Sequence, residues 1–454
     1  MKQIDVLPDD VLLEIFYFYM ITDPSFRSDE SRKAIDAWQL LVHVCRRWRS
    51  LVLRSPRRLN LRLYCTPKTS IINTLDIWPA LPLIVTCDGW SNSRTDNIIA
   101  ALGQSNRVCR VDLHLERWQS KIFLAAMQVP FPELTDLHLS SFDENTPVIP
   151  DSFLGGSAPR LRHFNLDGIP FPGLPKLLLS ATQLETLHLD NISHSGDFSP
   201  EVMVALLSVL SSLRILTLSR NLPFSENRSL PPPIRSILPA LTSLDFKGVS
   251  EYLEELVSRI DAPQLDKMHI NLHNQTGTTR LTQFINRTSL RAGDSAIVEF
   301  GRLTASVILR HSSESHYSNN IRISCRGPDR QLSCVAQVCN PLHSLSTVEG
   351  LYIWSQNSQL VWNDDDIQNT LWLQLLLPFT AVKSLYVCKD FAPSLAAALQ
   401  ELVGDRITEV LPSLQDMFVE GFEPSGPLQE DIGQFVAARR LSNHPIAVSY
   451  WSGM

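Results

Sequence analysis

The chain has 454 residues, a formal net charge of −7, and 44% hydrophobic against 19% charged residues. That length exceeds what one hydrophobic core usually organises, and the composition is that of a folding chain, not a disordered one. The acidic total excludes a protein built overall to coat nucleic acid or an anionic membrane, so any basic patch must be local.

The first residues, "MKQIDVLPDDVLLEIF", lack the long apolar run of a signal peptide, and Asp5, Asp9 and Asp10 sit among them. No stretch reaches the ~18 apolar residues of a membrane span. The longest, "VMVALLSVLSSL", is broken by serines and has the size of a core helix. The eight cysteines stand singly and read as reduced thiols; "CVAQVC" at 334–339 has no second pair at zinc spacing. These features lead to an expectation of cytoplasm and/or nucleus.

The first predicted element is a helix opened by Pro8, whose missing N–H costs nothing at the first helical position. Asp9, Asp10 and Glu14 place negative charge in its early turns, where the helix dipole favours it. Val11, Leu12, Ile15, Phe16 and Tyr19 form one apolar face, and Leu13, Tyr17 and Met20 extend it. A helix this short and apolar nearly all round calls for burial on two sides, which a small module cannot supply alone. A polar loop at about 21–36 follows. The next predicted element is a second helix through "WQLLVHVCRRWRSLVLRSP", with a stripe of Leu40, Leu41, Val44, Cys45, Trp48, Leu51 and Val52.

Seven arginines (46, 47, 49, 54, 57, 58 and 62) crowd this second stretch with no acid among them. Nucleic-acid binding asks for a wider basic face and a reading helix or stacking aromatics. A solvated helix face with long-range attraction to an acidic partner is the preferred reading.

The pair "LPDDVLLEIF" and "LLVHVCRRWRSLV", followed by "SPRRLNLRL", resembles the F-box. Asp10 stands where the family usually has Glu, Val11 where it has Leu, and the spacer is longer than in the compact form. The resemblance covers roughly residues 4–62. It implies a small all-helical module that docks on a Skp1-like adaptor of a cullin–RING ubiquitin ligase. The matching docking positions are Leu7, Pro8, Val11, Leu12, Ile15, Phe16, Val44, Cys45, Trp48 and Leu51. The chain also looks like the F-box families expanded in mushroom-forming (basidiomycete) fungi.

From residue 63 to 454 the chain carries a period. The pattern L-x-x-L-x-L recurs at 108–113, 134–139, 161–166, 184–189, 213–218, 241–246 and 265–270, then at 348–353, 382–387 and 414–419. Successive starts are 26, 27, 23, 29, 28 and 24 residues apart, then 34 and 32. This is a leucine-rich-repeat signature with degenerate units. Helical segments such as "SPEVMVALLSVLSS", "SEYLEELVSRI" and "SLAAALQELVGDRI" lie between the strands. The expected fold is α/β: an N-terminal helical module at 1–62 and a curved solenoid at 63–454, parallel strands on its concave face.

Two leading strands are predicted at 59–63 and 81–85. Between about 271 and 347 the period fails, and the segment reads either as irregular repeats or as a small antiparallel insert. A helix and a final strand are predicted to cap the array.

Within the pattern, the residue between the last two core positions faces the concave side. It is polar in the first seven repeats and then Tyr352, Tyr386 and Phe418, with Trp354 two residues beyond Tyr352. These four are candidate substrate-binding residues. A row of rings suits peptide or protein recognition; burial under a terminal helix or loop is the other reading. His138, His188 and His269 share the row. Strands about 4.8 Å apart leave two of them nearly 10 Å apart when they are two repeats apart, too far for one zinc.

No G-x-S-x-G, P-loop, H-E-x-x-H or G-x-G-x-x-G occurs. The resemblance therefore implies a non-enzymatic substrate receptor without cofactor or metal. Its expected partners are a Skp1-like adaptor, a cullin–RING ligase and a protein substrate, with no nucleic acid and no membrane. The competing reading is a repeat scaffold or inhibitor with no part in ubiquitination.

Overall fold

The structure is a computed structural model that describes residues 7–21, 37–68, 75, 78, 80–87, 95–143, 146–191, 199–219, 235–273, 279–290, 293–310, 319–356, 368–402, 404–421 and 427–451. The spacer predicted at 21–36 lies almost wholly outside them. The chain divides into two compact units, residues 1–184 with 195–197 and residues 185–194 with 198–454.

The first unit opens with helix α1 (Asp9–Ile21), then α2 (Ala37–Val44) and α3 (Arg46–Arg54). The single second helix expected from the apolar stripe is two helices. Cys45 breaks them with an extended backbone (φ −158°, ψ 169°), and its Sγ accepts the backbone N–H of Trp48 at 3.4 Å. The cysteine thus serves as an N-cap, a task usually given to Ser, Thr, Asp or Asn. Arg49 Nε reaches back to the carbonyl of Val42 at 2.9 Å, one of the groups left without a partner at the end of α2.

Strands β1 (Leu63–Cys65), β2 (Leu83–Cys87), β3 (Val108–His114), β4 (Asp136–Ser140) and β5 (His163–Asp167) follow, each parallel to the next. Helices α4 (Thr95–Leu102), α5 (Arg117–Ala126) and α6 (Leu174–Ser180) lie between or after them. The two leading strands begin a few residues later than the hydrophobic pattern alone suggests. In place of a strand start at Leu59, Leu59 and Leu61 bond back to Ser55 and Pro56, keeping the chain in turns.

The second unit holds β6 (Thr186–Asp190), α7 (Pro200–Val209), β7 (Ile215–Ser219), β8 (Ser236–Ile237), β9 (Ser243–Gly248), α8 (Ser250–Ser258), β10 (Ile260–Asp261), β11 (Lys267–Leu272) and α9 (Thr279–Ile285). Strands β6, β7, β9 and β11 form a parallel run, and β8 pairs with β10 beside it. The recurrence of the sequence has a local cause. Ala158, Ala181, Leu210, Leu238, Ala262 and Leu411 each accept the N–H of the leucine three residues on, closing a turn before the strand. Four of the six turns carry Pro at the second position ("APRL", "LPAL", "APQL", "LPSL"), which suits the fixed φ of a type I turn. The leucine that closes each turn is buried, as are the two core positions of its strand.

Segment 271–347 is an insert, and it lies in the sheet. Strands β12 (Ser295–Phe300), β13 (Thr304–Arg310) and β14 (Asn319–Ser324) form an antiparallel meander. Its last strand pairs in parallel with β11, and its first pairs in parallel with β15 (Gly350–Ser355). The chain overshoots, folds back to fill the gap, and resumes the parallel order. Ala296, Val298 and Phe300 are fully buried toward the helices, and Ile297 and Ile308 on the other face are buried as well. Helix α10 (Pro328–Cys339) pins the hairpin. Its buried Gln331 donates Nε2 to the carbonyls of Gly301 and Cys325, at 2.9 and 3.0 Å.

The array resumes with α11 (Asn369–Leu376), β16 (Ser384–Val387), α12 (Ala392–Gln400), β17 (Asp416–Glu420), α13 (Pro427–Leu441) and β18 (Ala447–Trp451). The predicted terminal helix and strand are both present, β18 parallel to β17. Neighbouring helices are tied by charge: Arg259, at the C-terminal cap of α8, bonds Glu255 of that helix and Glu201 of α7, and Arg280 of α9 bonds Glu255. Glu254 caps α9 by accepting from the N–H groups of Arg280 and Leu281, both at 2.8 Å. The architecture is a mixed α/β fold with a mostly parallel sheet built from repeats. None of the eight cysteines is in a disulfide. Among the described residues no helix is long and apolar enough to cross a membrane.

Candidate functional site

Three surfaces collect the residues singled out by the sequence. The first is on α1 to α3. The helix α1 turns Leu12, Leu13, Phe16 and Met20 inward, all at most 7% exposed. Phe16 meets Trp48 with ring centroids 4.7 Å apart. On the opposite side, Val11, Ile15 and Phe18 are 42%, 46% and 60% exposed, in line at i, i+4 and i+7. Leu40 and Val44 on α2 are both 58% exposed, again i and i+4.

The ten predicted docking positions therefore split. Leu12 and Phe16 belong to the interior, where they hold the helix in place. Trp48, Leu51 and Leu7 are half-buried, whereas Pro8, Val11, Ile15, Val44 and Cys45 are exposed. Phe18, which the sequence reading missed, and Leu40, which it placed in the helical stripe but not among the docking positions, join the exposed set. The helical period could have found Phe18, which continues the line from Val11 and Ile15.

The arginines are not uniformly a wet face. Arg47 donates to Asp9 Oδ1 through Nη2 at 2.7 Å and Nε at 3.2 Å, and to the carbonyl of Leu7 at 2.6 Å. Arg58 bridges Asp10 at 3.0 Å and Glu14 at 2.7 Å. These two bind the acidic first turns of α1 to the segment that carries Cys45 and Trp48. Arg46, Arg54 and Arg57 make no hydrogen bond or ion pair among the described residues and are exposed.

The second surface is the open face of β3 to β5 in the first unit. Asp112 meets His138 Nδ1 at 3.0 Å and Arg110 at 3.6 Å; Asp136 meets His163 Nδ1 at 3.1 Å. Burial pushes the Asp112 carboxyl up, but the hydrogen bond from His138 and the charge of Arg110 outweigh it and hold the group below the usual carboxylate range. His114, which meets the hydroxyl of Ser140 at 3.0 Å, is a different histidine from those that meet Asp112 and Asp136. Acid, base and hydroxyl are thus spread over separate pairs, not gathered in one relay.

The third surface is the open face of β15 to β18 in the second unit. Tyr352, Tyr386 and Phe418 occupy one register row, as their place in the repeat predicts. Their rings stack in parallel, with centroids 4.3 and 4.6 Å apart and interplanar angles of 6° and 8°. Burial, together with the charge and hydroxyl of Tyr386, pushes the Tyr352 phenol up. Trp354 stands beside the row and faces a ring that the sequence reading did not include, Trp451. Trp451 also lies edge-on to Tyr386 at 5.4 Å and Tyr352 at 6.3 Å. All five rings are half-buried. The row is therefore partly covered, by one side chain of the terminal strand, and partly open.

No family model matches the chain, and no curated protein matches it. Among solved structures, a chain of the yeast Rad7 and Elc1 complex is similar at 15% identity. The match covers 91% of this chain and 88% of that one, with a TM-score of 0.32. A likeness that low carries no functional weight, so the reading of these surfaces rests on their own residues.

Proposed function

We propose that this protein is the substrate-recognition subunit of an SCF-type ubiquitin ligase, with α1 to α3 docking on a Skp1-like adaptor and the repeat sheet holding a target protein. The observation that carries the reading is the exposed line Val11, Ile15 and Phe18 on α1, on a helix whose other side is already filled. A helix apolar on both sides keeps its outer side dry only against a partner. Arg46, Arg54 and Arg57, without an ion pair among the described residues, add positive charge nearby, which favours encounter with an acidic adaptor.

The mechanism is proximity. Ubiquitin transfer is the work of the other subunits; this chain raises the effective concentration of target lysines near the charged ubiquitin-conjugating enzyme. It acts in the cytoplasm and/or nucleus, where that machinery works, without cofactor. Co-expression with a Skp1-like adaptor and a cullin tests the reading: the folded chain is expected to co-purify with both. Recovery of the chain alone, still folded, would refute it.

A further inference from the structure

The ring row on β15 to β18 has two unlike ends. At Tyr352 the next residue across is Ile297 of β12, which is 4% exposed and closes that end. At Phe418 the next residue across is Ser449 of β18, exposed and small. Phe418 has a ring neighbour on one side, Tyr386; its other side looks out over the serine. The stack stops one strand short of the sheet edge.

Two carboxylates flank that open end, and one cation, Lys389, lies beyond Glu420. Asp416 and Glu420 lie two residues before and after Phe418 on the same strand and face, since Met417 and Val419 between them are fully buried. The Oε2 of Glu420 accepts the backbone N–H of Lys389, and neither carboxylate is in an ion pair among the described residues. Burial pushes the Asp390 carboxyl up against the pull of Lys389, and the charge of Glu420 adds to the rise. Trp451, in register with Glu420, walls one side.

A planar cation fits this frame. A flat group placed over Ser449 continues the stack at about one strand spacing, ~4.8 Å, inside the ~6 Å at which a cation is drawn to a ring face. A guanidinium is planar and offers N–H donors along two edges, toward carboxylates on either side; an ammonium is neither planar nor forked. We propose that the open end of the ring stack, at Phe418 over Ser449 and between Asp416 and Glu420, binds the guanidinium of an arginine on an extended segment of a partner protein. The inference deepens the target-binding half of the proposed function.

The test uses the purified full chain and a fluorescein-labelled peptide with three arginines separated by Gly-Ser pairs, beside its lysine and citrulline counterparts. Fluorescence polarisation is expected to show saturable binding of the arginine peptide, several-fold weaker binding of the lysine peptide, and at least tenfold weaker binding of the uncharged citrulline peptide. The double variant Asp416→Asn, Glu420→Gln is expected to weaken the arginine peptide at least tenfold. Ser449→Trp, which fills the slot and leaves both acids in place, is expected to do the same. Thermal unfolding of each variant shows whether it is folded.

Equal binding of the arginine and citrulline peptides, or of the arginine and lysine peptides, overturns the proposal. So does unchanged affinity in folded Ser449→Trp. A concentration-dependent dimer that Ser449→Trp abolishes, with no peptide binding, makes a second copy the occupant and also overturns it. Adaptor capture, run on the same variants, is expected to stay intact, so failure here is separable from failure of the docking reading.

Discussion

Trp451 on β18 stands edge-on to Trp354 on β15, three strands away, with ring centroids 5.5 Å apart at 63°. The same indole also meets Tyr386 and Tyr352 edge-on, at 5.4 and 6.3 Å. One residue of β18 therefore meets rings of both β16 and β15 on their open face. Edge-to-face ring pairs each contribute about 0.5–1.5 kcal/mol beyond their buried area, and Trp451 makes three. Trp451→Ala is expected to lower stability by about 2–3 kcal/mol and to shift tryptophan emission, while Trp451→Phe recovers part of both. Denaturant unfolding followed by fluorescence measures this. An unchanged midpoint would mean that the rings do not bear on one another in solution.

Arg47 and Arg46 are neighbours with different work. Arg47 holds Asp9 and the carbonyl of Leu7, whereas Arg46 holds nothing among the described residues. Arg47→Ala is expected to cost about 1–2 kcal/mol locally, since the pair with Asp9 is partly exposed and screened. Hydrogen exchange over residues 9–20 should speed up several-fold. Arg46→Ala should leave that exchange unchanged. Equal effects would show that the arginines act as general charge, not as specific ties.

The His138–Asp112 pair sets a pH dependence in the first unit. The folded Asp112 carboxyl titrates below its unfolded range, so folding favours the ionised form. Its stabilising contribution is complete above the unfolded carboxylate value, about 3.9, and is lost as pH falls through the folded one. Asp112→Asn is expected to flatten the acid limb of melting temperature against pH. His138→Gln should move that limb to higher pH. An identical acid limb in all three proteins would contradict the pairing.

Arg439 is fully buried on α13 without a carboxylate partner in any ion pair among the described residues. Its guanidinium reaches the carbonyls of Ile407 and Leu411, both at 3.2 Å, and those of Pro412 and Leu414 at 3.4 Å. Burial pulls its pKa down. Arg439→Met keeps the apolar stem but takes this donor from the carbonyls of Ile407, Pro412 and Leu414, while Leu411 keeps the N–H of Leu414, and is expected to destabilise by about 2–4 kcal/mol. Hydrogen exchange should rise first over residues 404–414. A Met variant as stable as the parent would mean that water or local rearrangement satisfies the carbonyls.

The repeat strands are legible in the sequence because each demands the same local solution: a turn closed by a leucine, then apolar residues at every second position. The row Tyr352, Tyr386, Phe418 follows from that register alone. The break at Cys45 is not legible, because the stripe from Leu40 to Val52 keeps its helical spacing across it. The cue is a cysteine three residues before a tryptophan, which does not look like a cap. The strand order of the insert depends on distant pairings, and antiparallel β13 between two parallel neighbours leaves no local mark. Apolar periodicity told which positions of α1 are apolar, not which side the rest of the module already covers. Leu12 and Phe16 therefore read as docking residues although they face inward, and Phe18 went unread although it faces out.

Burial also decides which substitution is informative at that surface. Trp48→Ala removes the ring that packs on Phe16, so a loss of binding there follows from loosened helices as readily as from lost contact. Val11 and Ile15 are exposed, and changing them leaves the interior untouched. The most direct measurement is calorimetric titration of the full chain with a purified Skp1-like adaptor, using the parent and the double variant Val11→Asp, Ile15→Asp. The account predicts saturable one-to-one binding by the parent, and at least a hundredfold loss in the variant with its melting temperature unchanged. A folded parent that binds no adaptor, or a variant that binds as tightly as the parent, would contradict it.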